Sequence, residues 1–305
     1  MAITLAKITR PDSGKVILRE RLFSKLDQAC ANAIVWVNAP AGAGKTTLVS
    51  TYIEARGLKE LWYQVDRGDA DMAAFFHYFG QAVKNIARTR KKMPTLTPEY
   101  QLGVPEFTRN YFREVFQRVQ TPMLLVFDNF QNVGAEADLN KMLASAFDGI
   151  PEGININIII ISRTEPPAPF ARLQANQQLL QINWADLQFT LDEELAVTQQ
   201  RYPQCRISKQ QLQKLDAHIR GWVTGLILLL EQGIELDDIE FDTEDLSQER
   251  LFDYFSTEIL YQLDTEIRQF LMKTAMLPKM TAPMCRQLTG NHNTDRILSK
   301  LSRKQ

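Results

Sequence analysis

Four short apolar runs stand out along the chain, at residues 34–37 (Ile-Val-Trp-Val), 61–65 (Leu-Trp-Tyr-Gln-Val), 123–127 (Met-Leu-Leu-Val-Phe) and 156–161. They are separated by segments long enough for helices. Runs without polar alternation predict strands buried on both faces of a parallel sheet, and the helical spacing between them predicts the α/β three-layer class. After about residue 190 no comparable run occurs, and 191–202, 208–217 and 221–233 carry helical patterns. Thr190-Leu191-Asp192-Glu193-Glu194, a hydroxyl followed by acids, is a helix-start signal. The stretch 234–242 is acidic and reads as a linker or solvated loop. Beyond it, 251–263, 266–276 and 282–288 predict three amphipathic helices, with a last helical piece at 294–301.

The turn after the first apolar run carries the chemistry. Residues 38–47 read Asn-Ala-Pro-Ala-Gly-Ala-Gly-Lys-Thr-Thr and lead into the helix-forming stretch 48–55. A buried strand, a glycine-bearing turn and a helix start bring backbone N–H groups together at the positive end of a helix dipole, where a polyanion binds. The pattern G-x-x-x-x-G-K-[ST] is met except at its first position, where Ala39 stands. Gly42 and Gly44 allow the positive φ that wraps a main chain around phosphate oxygens. Ala41, Gly42, Ala43, Gly44, Lys45, Thr46 and Thr47 are therefore the predicted phosphate cradle, with Lys45 as point charge and the Thr46 hydroxyl as a Mg²⁺ ligand. The competing reading is an ordinary strand–turn–helix connection with a surface lysine.

Such a site needs an acidic Mg²⁺ partner at the end of a neighbouring strand. Met123-Leu124-Leu125-Val126-Phe127-Asp128 has that form and makes Asp128 the candidate; the alternative is an Asp that caps the following turn. The next residue is Asn129, which can orient a water molecule but cannot take its proton, so hydrolysis is expected to be weak. The run 156–161 ends in Ser162-Arg163-Thr164-Glu165-Pro166-Pro167. Arg163 lies at the ligand edge of such a sheet and is a candidate γ-phosphate sensor, with an ion pair to Glu165 or another acid as the alternative. Asp66, at the matching edge of the second strand, is read either as lying near the metal or as leading the turn into Asp69. Trp222 reads as a packing anchor rather than a base-stacking residue.

Composition narrows the field. At 305 residues and 45% hydrophobic, the chain has enough apolar material for a core and room for more than one domain. Lys and Arg (35) balance Asp and Glu (36), so no global field favours nucleic acid or anionic membrane. The one basic cluster, Arg88-Thr89-Arg90-Lys91-Lys92, reads as a solvated helix end. Cys30, Cys205 and Cys285 have no metal-ligand spacing and read as buried or neutral thiols in a reducing compartment. No apolar run reaches the roughly 18 residues a membrane span needs, and the expected location is cytoplasmic.

Six ordered segments together resemble the MalT-like, LuxR-type ATP-dependent regulators of the STAND class of signalling NTPases. They are 16–22, 39–47, 62–69 (Trp-Tyr-Gln-Val-Asp-Arg-Gly-Asp), 162–167, Gly221-Trp222 with Gly225-Leu226, and 270–275. The resemblance implies a P-loop NTPase core at 1–190, a helical domain and acidic linker at 191–240, and a winged-helix domain at 241–305 that is incomplete at its C-terminal end. It also implies ATP/ADP with Mg²⁺ as cofactors, self-association when ATP is bound, an inducer met through a sensor domain, and DNA met through a downstream domain. No membrane partner is implied. Arg19 matches a family position ahead of the first strand, either at the border of the adenine pocket or in a salt bridge. Two departures follow: the family's usual double acid is here Asp128-Asn129, and its later His-Pro-Leu-Phe segment would lie beyond Gln305. The rival readings are a fully competent ATPase or phosphotransferase using the same loop, with Asp66 or Glu165 as replacement base, and a DNA-binding unit in the C-terminal helices.

Overall fold

The computed structural model describes residues 6–30, 34–87, 91–97, 100, 103–119, 121–150, 154–204, 207–231, 264–275, 277, 280–291 and 293–302. Met1, Arg88-Thr89-Arg90, Cys205, the acidic stretch 234–242 and the helical pattern at 251–263 lie outside the described residues. The described chain divides into two compact units. One runs through Ala39 and resumes over Gly44–Leu187; the other comprises Pro40–Ala43 and the chain from Gln188 onward.

The first unit is built on a five-stranded, all-parallel sheet. Its elements in order are α1 (Glu20–Cys30), β1 (Ile34–Asn38), α2 (Lys45–Arg56), β2 (Glu60–Gln64), α3 (Met72–Ile86), α4 (Val104–Arg118), β3 (Met123–Asp128), α5 (Asp138–Asp148), β4 (Ile156–Ser162), α6 (Ala171–Ala175), β5 (Leu179–Ile182) and α7 (Trp184–Leu187). The strand order is β2-β3-β4-β1-β5, with Asn38 opposite Ser162 and Gln64 opposite Asp128. The four apolar runs are β1 to β4, and their residues are buried on both faces of the sheet as expected for parallel strands.

β5 was not visible in the pattern. Its four residues include the exposed Gln181, and it pairs only with β1 at the sheet edge, where one-sided burial demands fewer apolar positions.

Aromatic residues dominate the layer between the sheet and α3, α4 and α5. Tyr63, Phe75, Phe79, Phe112, Phe127 and Phe147 are all nearly fully buried, and Tyr63 meets Phe75, Phe79 and Phe127 edge-on. Edge-to-face contacts of this kind add to the stabilisation from buried area.

In the second unit, α8 (Leu191–Arg201), α9 (Lys209–Ile219) and α10 (Val223–Glu231) close over Leu212, Leu215, Ile219, Leu226 and Leu229. Thr190 and Glu193 form the reciprocal cap that starts α8, and Ser208 with Gln211 does the same for α9. A separate small core, Ile267, Phe270, Cys285 and Ile297, joins α11 (Thr265–Thr274), α12 (Ala282–Thr289) and α13 (Thr294–Ser302). No helix of the described residues is long and apolar enough to cross a membrane.

Candidate functional site

Lys45, Thr46, Asp128, Asn129 and Arg163 lie at or just beyond the C-terminal ends of β1, β3 and β4, the edge of a parallel sheet where ligands bind. The loop after β1 carries two glycines in the left-handed region, Gly42 at φ 71° and Gly44 at φ 80°. Ala39, at the position of the missing first glycine, is buried and donates its N–H to Ser162 O at 3.4 Å. Among the described residues the non-glycines with positive φ are Asn129, Gln177 and Arg220, so the main chain at Ala39 has no need of glycine.

Gly44 caps α2 with no side-chain hydrogen bond, which leaves the first-turn N–H groups uncapped by side chains at the helix's positive end. Ala41 and Ala43 are buried in the loop, and Thr46 and Thr47 fall on that first turn.

Thr46 and Asp128 come together across the sheet. The Thr46 hydroxyl donates to Asp128 Oδ1 at 3.1 Å and lies 3.2 Å from Oδ2, and Asp128 Oδ1 also accepts the Asn129 N–H at 2.9 Å. Burial pushes the Asp128 carboxyl above the usual range, while the Thr46 hydroxyl, the Asn129 N–H and the Lys45 charge favour its ionised form.

Lys45 is buried, and its Nζ donates to Ala39 O at 2.7 Å. Desolvation lowers its pKa to about 8, with the positive charge of Arg163 pushing the same way and Asp128 opposing. Lys45 thus lies within reach of the charges of both Arg163 and Asp128, and phosphate oxygens at this place would favour its charged form.

The residues present fit a Mg²⁺-nucleotide. A hydroxyl and a carboxylate are hard oxygen donors, and Mg²⁺ in such sites completes its shell with phosphate oxygens and water rather than with a protein cage. Among the described residues no cluster of three or more His, Cys, Asp or Glu is arranged to hold a metal by itself.

Asn129 occupies the left-handed region at φ 61°, which asparagine tolerates better than most side chains, and it starts the 3-10 turn Phe130–Val133. Arg163 follows β4 directly; its N–H donates to Gln131 Oε1 at 3.1 Å, and the adjoining Thr164 carbonyl accepts from Trp36 Nε1 at 2.9 Å. Gln131 was not singled out in the sequence. A glutamine in a short turn carries no distinguishing pattern.

Asp66 resolves toward the turn. Its carboxylate accepts from Gly68 N at 2.8 Å, pairs with Lys7, and forms a reciprocal cap with Asp69. Arg19 is buried ahead of α1, and its Nη2 donates to Leu187 O at 3.0 Å.

Cys30 and Cys285 are buried and unbridged, and burial raises the Cys30 thiol to about 11, so it is neutral as expected.

The Gly221-Trp222-x-x-Gly225 segment has a steric explanation. A Cβ on Gly221, whose φ is 72°, would meet Phe189 N at 2.7 Å, and one on Gly225 would meet Trp222 Cε3 at 2.4 Å. Gly225 makes room for the indole, and Gly221 for the Phe189 main chain. Trp222 packs on the α8–α10 core, and its Nε1 donates to Ala41 O at 3.0 Å, while Thr224 Oγ1 donates to Gly42 O at 2.8 Å. Trp222 is a packing anchor, as its pattern implied, with a polar task in addition.

The parallel sheet and the glycine-bearing turn after β1 have the P-loop NTPase architecture. Residues 256–305 match the family described as MalT winged helix domain, and residues 12–163 match Nephrocystin 3, N-terminal. The HTH-type transcriptional regulators MalT of Yersinia pestis and Serratia proteamaculans are each 28% identical to this chain over 98% of its length. The chain spans about a third (33%) of the length of these relatives. A STAND protein with a tetratricopeptide repeat sensor from Pyrococcus horikoshii shares the fold, with a TM-score of 0.52, 17% identity, and coverage of 100% of this chain and 41% of that one. The chain is thus similar in sequence to MalT regulators and shares its fold with a STAND protein.

Proposed function

We propose that this chain is the nucleotide-operated switch of a signal-transducing transcriptional regulator. Ala41, Gly42, Ala43, Gly44, Lys45, Thr46 and Thr47 hold the phosphates of ATP or ADP, Thr46 and Asp128 hold Mg²⁺, and Arg163 distinguishes the triphosphate. Arg19 borders the nucleotide from the segment before α1. Bound Mg²⁺ supplies charge neutralisation at the phosphate oxygens. The observation that carries the reading is the Thr46–Asp128 pair beside the buried Lys45, set on a loop with two positive-φ glycines.

The functional division in this reading is a core at 1–190, a helical domain with its linker at 191–240, and a winged-helix domain at 241–305. Exchange of ATP for ADP changes how these parts dock and whether copies associate. The two nucleotides can do so only through a difference in affinity for the two arrangements. DNA is met through a downstream domain and the inducer through a sensor, both outside this chain, as the relatives' description as HTH-type transcriptional regulators suggests.

Asn129 cannot accept a proton from water, so we expect slow hydrolysis. Calorimetric titration with Mg-ATP and Mg-ADP tests the proposal, with Lys45→Ala as the blank. Saturable heat in the parent chain and none in the variant is the expected result. No heat with either nucleotide overturns it. Phosphate release at the rate of an ordinary fast ATPase would instead favour a catalyst using the same loop.

A further inference from the structure

We propose that Gln131 is the positioning residue through which the end of β3 sets the aim of Arg163. The inference rests on the nucleotide-switch reading and deepens it by naming how the third phosphate is told apart.

Ladder pairing between β3 and β4 ends at Phe127 opposite Ile160, before either strand reaches the site. Beyond that point the two strand ends are joined by the Gln131 side chain. Its Oε1 accepts the Arg163 N–H at 3.1 Å, and its Nε2 reaches Asn129 Oδ1 at 3.5 Å. The Asn129 N–H bonds Asp128 Oδ1, and Asp128 accepts from Thr46 on the first turn of α2. A polar path therefore runs from the phosphate-binding helix to Arg163 with Gln131 as its last link. Ser162 Oγ and the Trp36 indole fix the neighbouring Thr164, so the peptide carrying Arg163 is held from both sides.

The chemistry of an amide suits this place. It offers an acceptor to one strand end and a donor to the other, which neither a carboxylate nor an aliphatic side chain can do. Gln131 does not need to touch the phosphate. It fixes the main chain of the residue whose guanidinium lies near enough to Lys45 for their charges to be felt.

Gln131→Met tests this, because it keeps the side-chain volume and removes both hydrogen bonds. Kd values for Mg-ATP and Mg-ADP are measured in the parent, Gln131→Met, Arg163→Ala and the double variant, with melting temperatures as the control for folding. The preference for ATP over ADP should fall roughly two- to tenfold in Gln131→Met, the size of one lost hydrogen bond, with ADP affinity within about twofold of the parent. In the Arg163→Ala background the same change should have no further effect on that preference, since a residue acting through Arg163 has then nothing to position.

An unchanged preference in Gln131→Met, an equal loss for both nucleotides, or full additivity in the double variant overturns the assignment and leaves the switch reading intact. A parent chain that binds ATP and ADP equally also overturns it. A parent that binds neither overturns the switch reading and this inference together. A Gln131→Met chain that does not fold assigns the residue to the core and overturns the positioning role.

Discussion

The indole Nε1 of Trp222 donates a hydrogen bond to the main-chain oxygen of Ala41 at 3.0 Å, and Thr224 does the same for Gly42. In a phosphate cradle the N–H groups face the anion, so these carbonyls are the loop's remaining polar handles. Pro40–Ala43 are continuous in the chain with Gly44 and Lys45. A helix that holds their carbonyls constrains the N–H groups beside them.

Trp222→Phe keeps an aromatic ring against Gly225 and removes the donor. One neutral hydrogen bond contributes about 0.5–1.5 kcal/mol, so a fluorescent ADP should leave the variant roughly two- to tenfold faster. Stopped-flow displacement measures the rate. An unchanged rate would show that the contact does not steady the loop.

Asp128→Asn removes the ionised oxygens that Thr46 faces and leaves the buried shape intact. Mg²⁺ should raise ATP affinity in the parent, and the variant should lose that increment by roughly tenfold or more, the usual effect of changing a metal partner. Titration in Mg²⁺ and in EDTA measures both. The affinity in EDTA should be unchanged or higher, because a buried negative charge has gone.

Lys45 makes binding depend on pH. In the unliganded fold burial holds it at about 8, whereas phosphate oxygens favour its charged form. Above about pH 8 nucleotide binding must include proton uptake, and affinity should fall by up to about tenfold per pH unit. For the stability of the unliganded fold the sign is opposite: the unfolded chain, near 10.5, binds the proton more tightly, so stability rises between about 8 and 10.5. Calorimetry in buffers of different ionisation enthalpy detects the proton; a binding heat above about pH 8 that does not depend on the buffer would show that Lys45 takes up none.

Glu194 sets a second pH dependence, in the helical unit. It is fully buried, with the Asp216 carboxyl facing it. Burial raises it to about 8, with the negative charges of Asp216 and Glu193 adding to the effect. The native state therefore keeps a proton that the unfolded chain, near 4.5, releases. Its contribution is fully present below the unfolded value and is lost as pH rises toward about 8, on the order of a few kcal/mol across the window. Glu194→Gln is neutral throughout and should flatten the decline in melting temperature over that range. An equally steep decline would assign the pH dependence to other groups.

Much of the site was legible because its signals are local. Lys45 and Thr46 are recognisable from the strand, turn and helix around them, and Asp128 from its place after five apolar residues. The departure at Ala39 was also visible, although only the backbone explains why it is tolerated: φ there is not positive. The strand β5 was not legible, since four residues with an exposed Gln181 resemble any short segment until β1 is seen beside them.

What the amino-acid order determined by itself was the alternation of buried strands and helices, the phosphate-binding turn and the helix start at Thr190, all of which arise between residues a few positions apart. Only the tertiary structure decided that Gln131 spans the ends of β3 and β4, that Asp66 closes a turn with Asp69 and Lys7, and that the Trp222 indole reaches the carbonyl of Ala41. Those relations join residues 32, 59 and 181 positions apart. A hydrogen bond is made by proximity and angle, and no spacing along an unfolded chain specifies either.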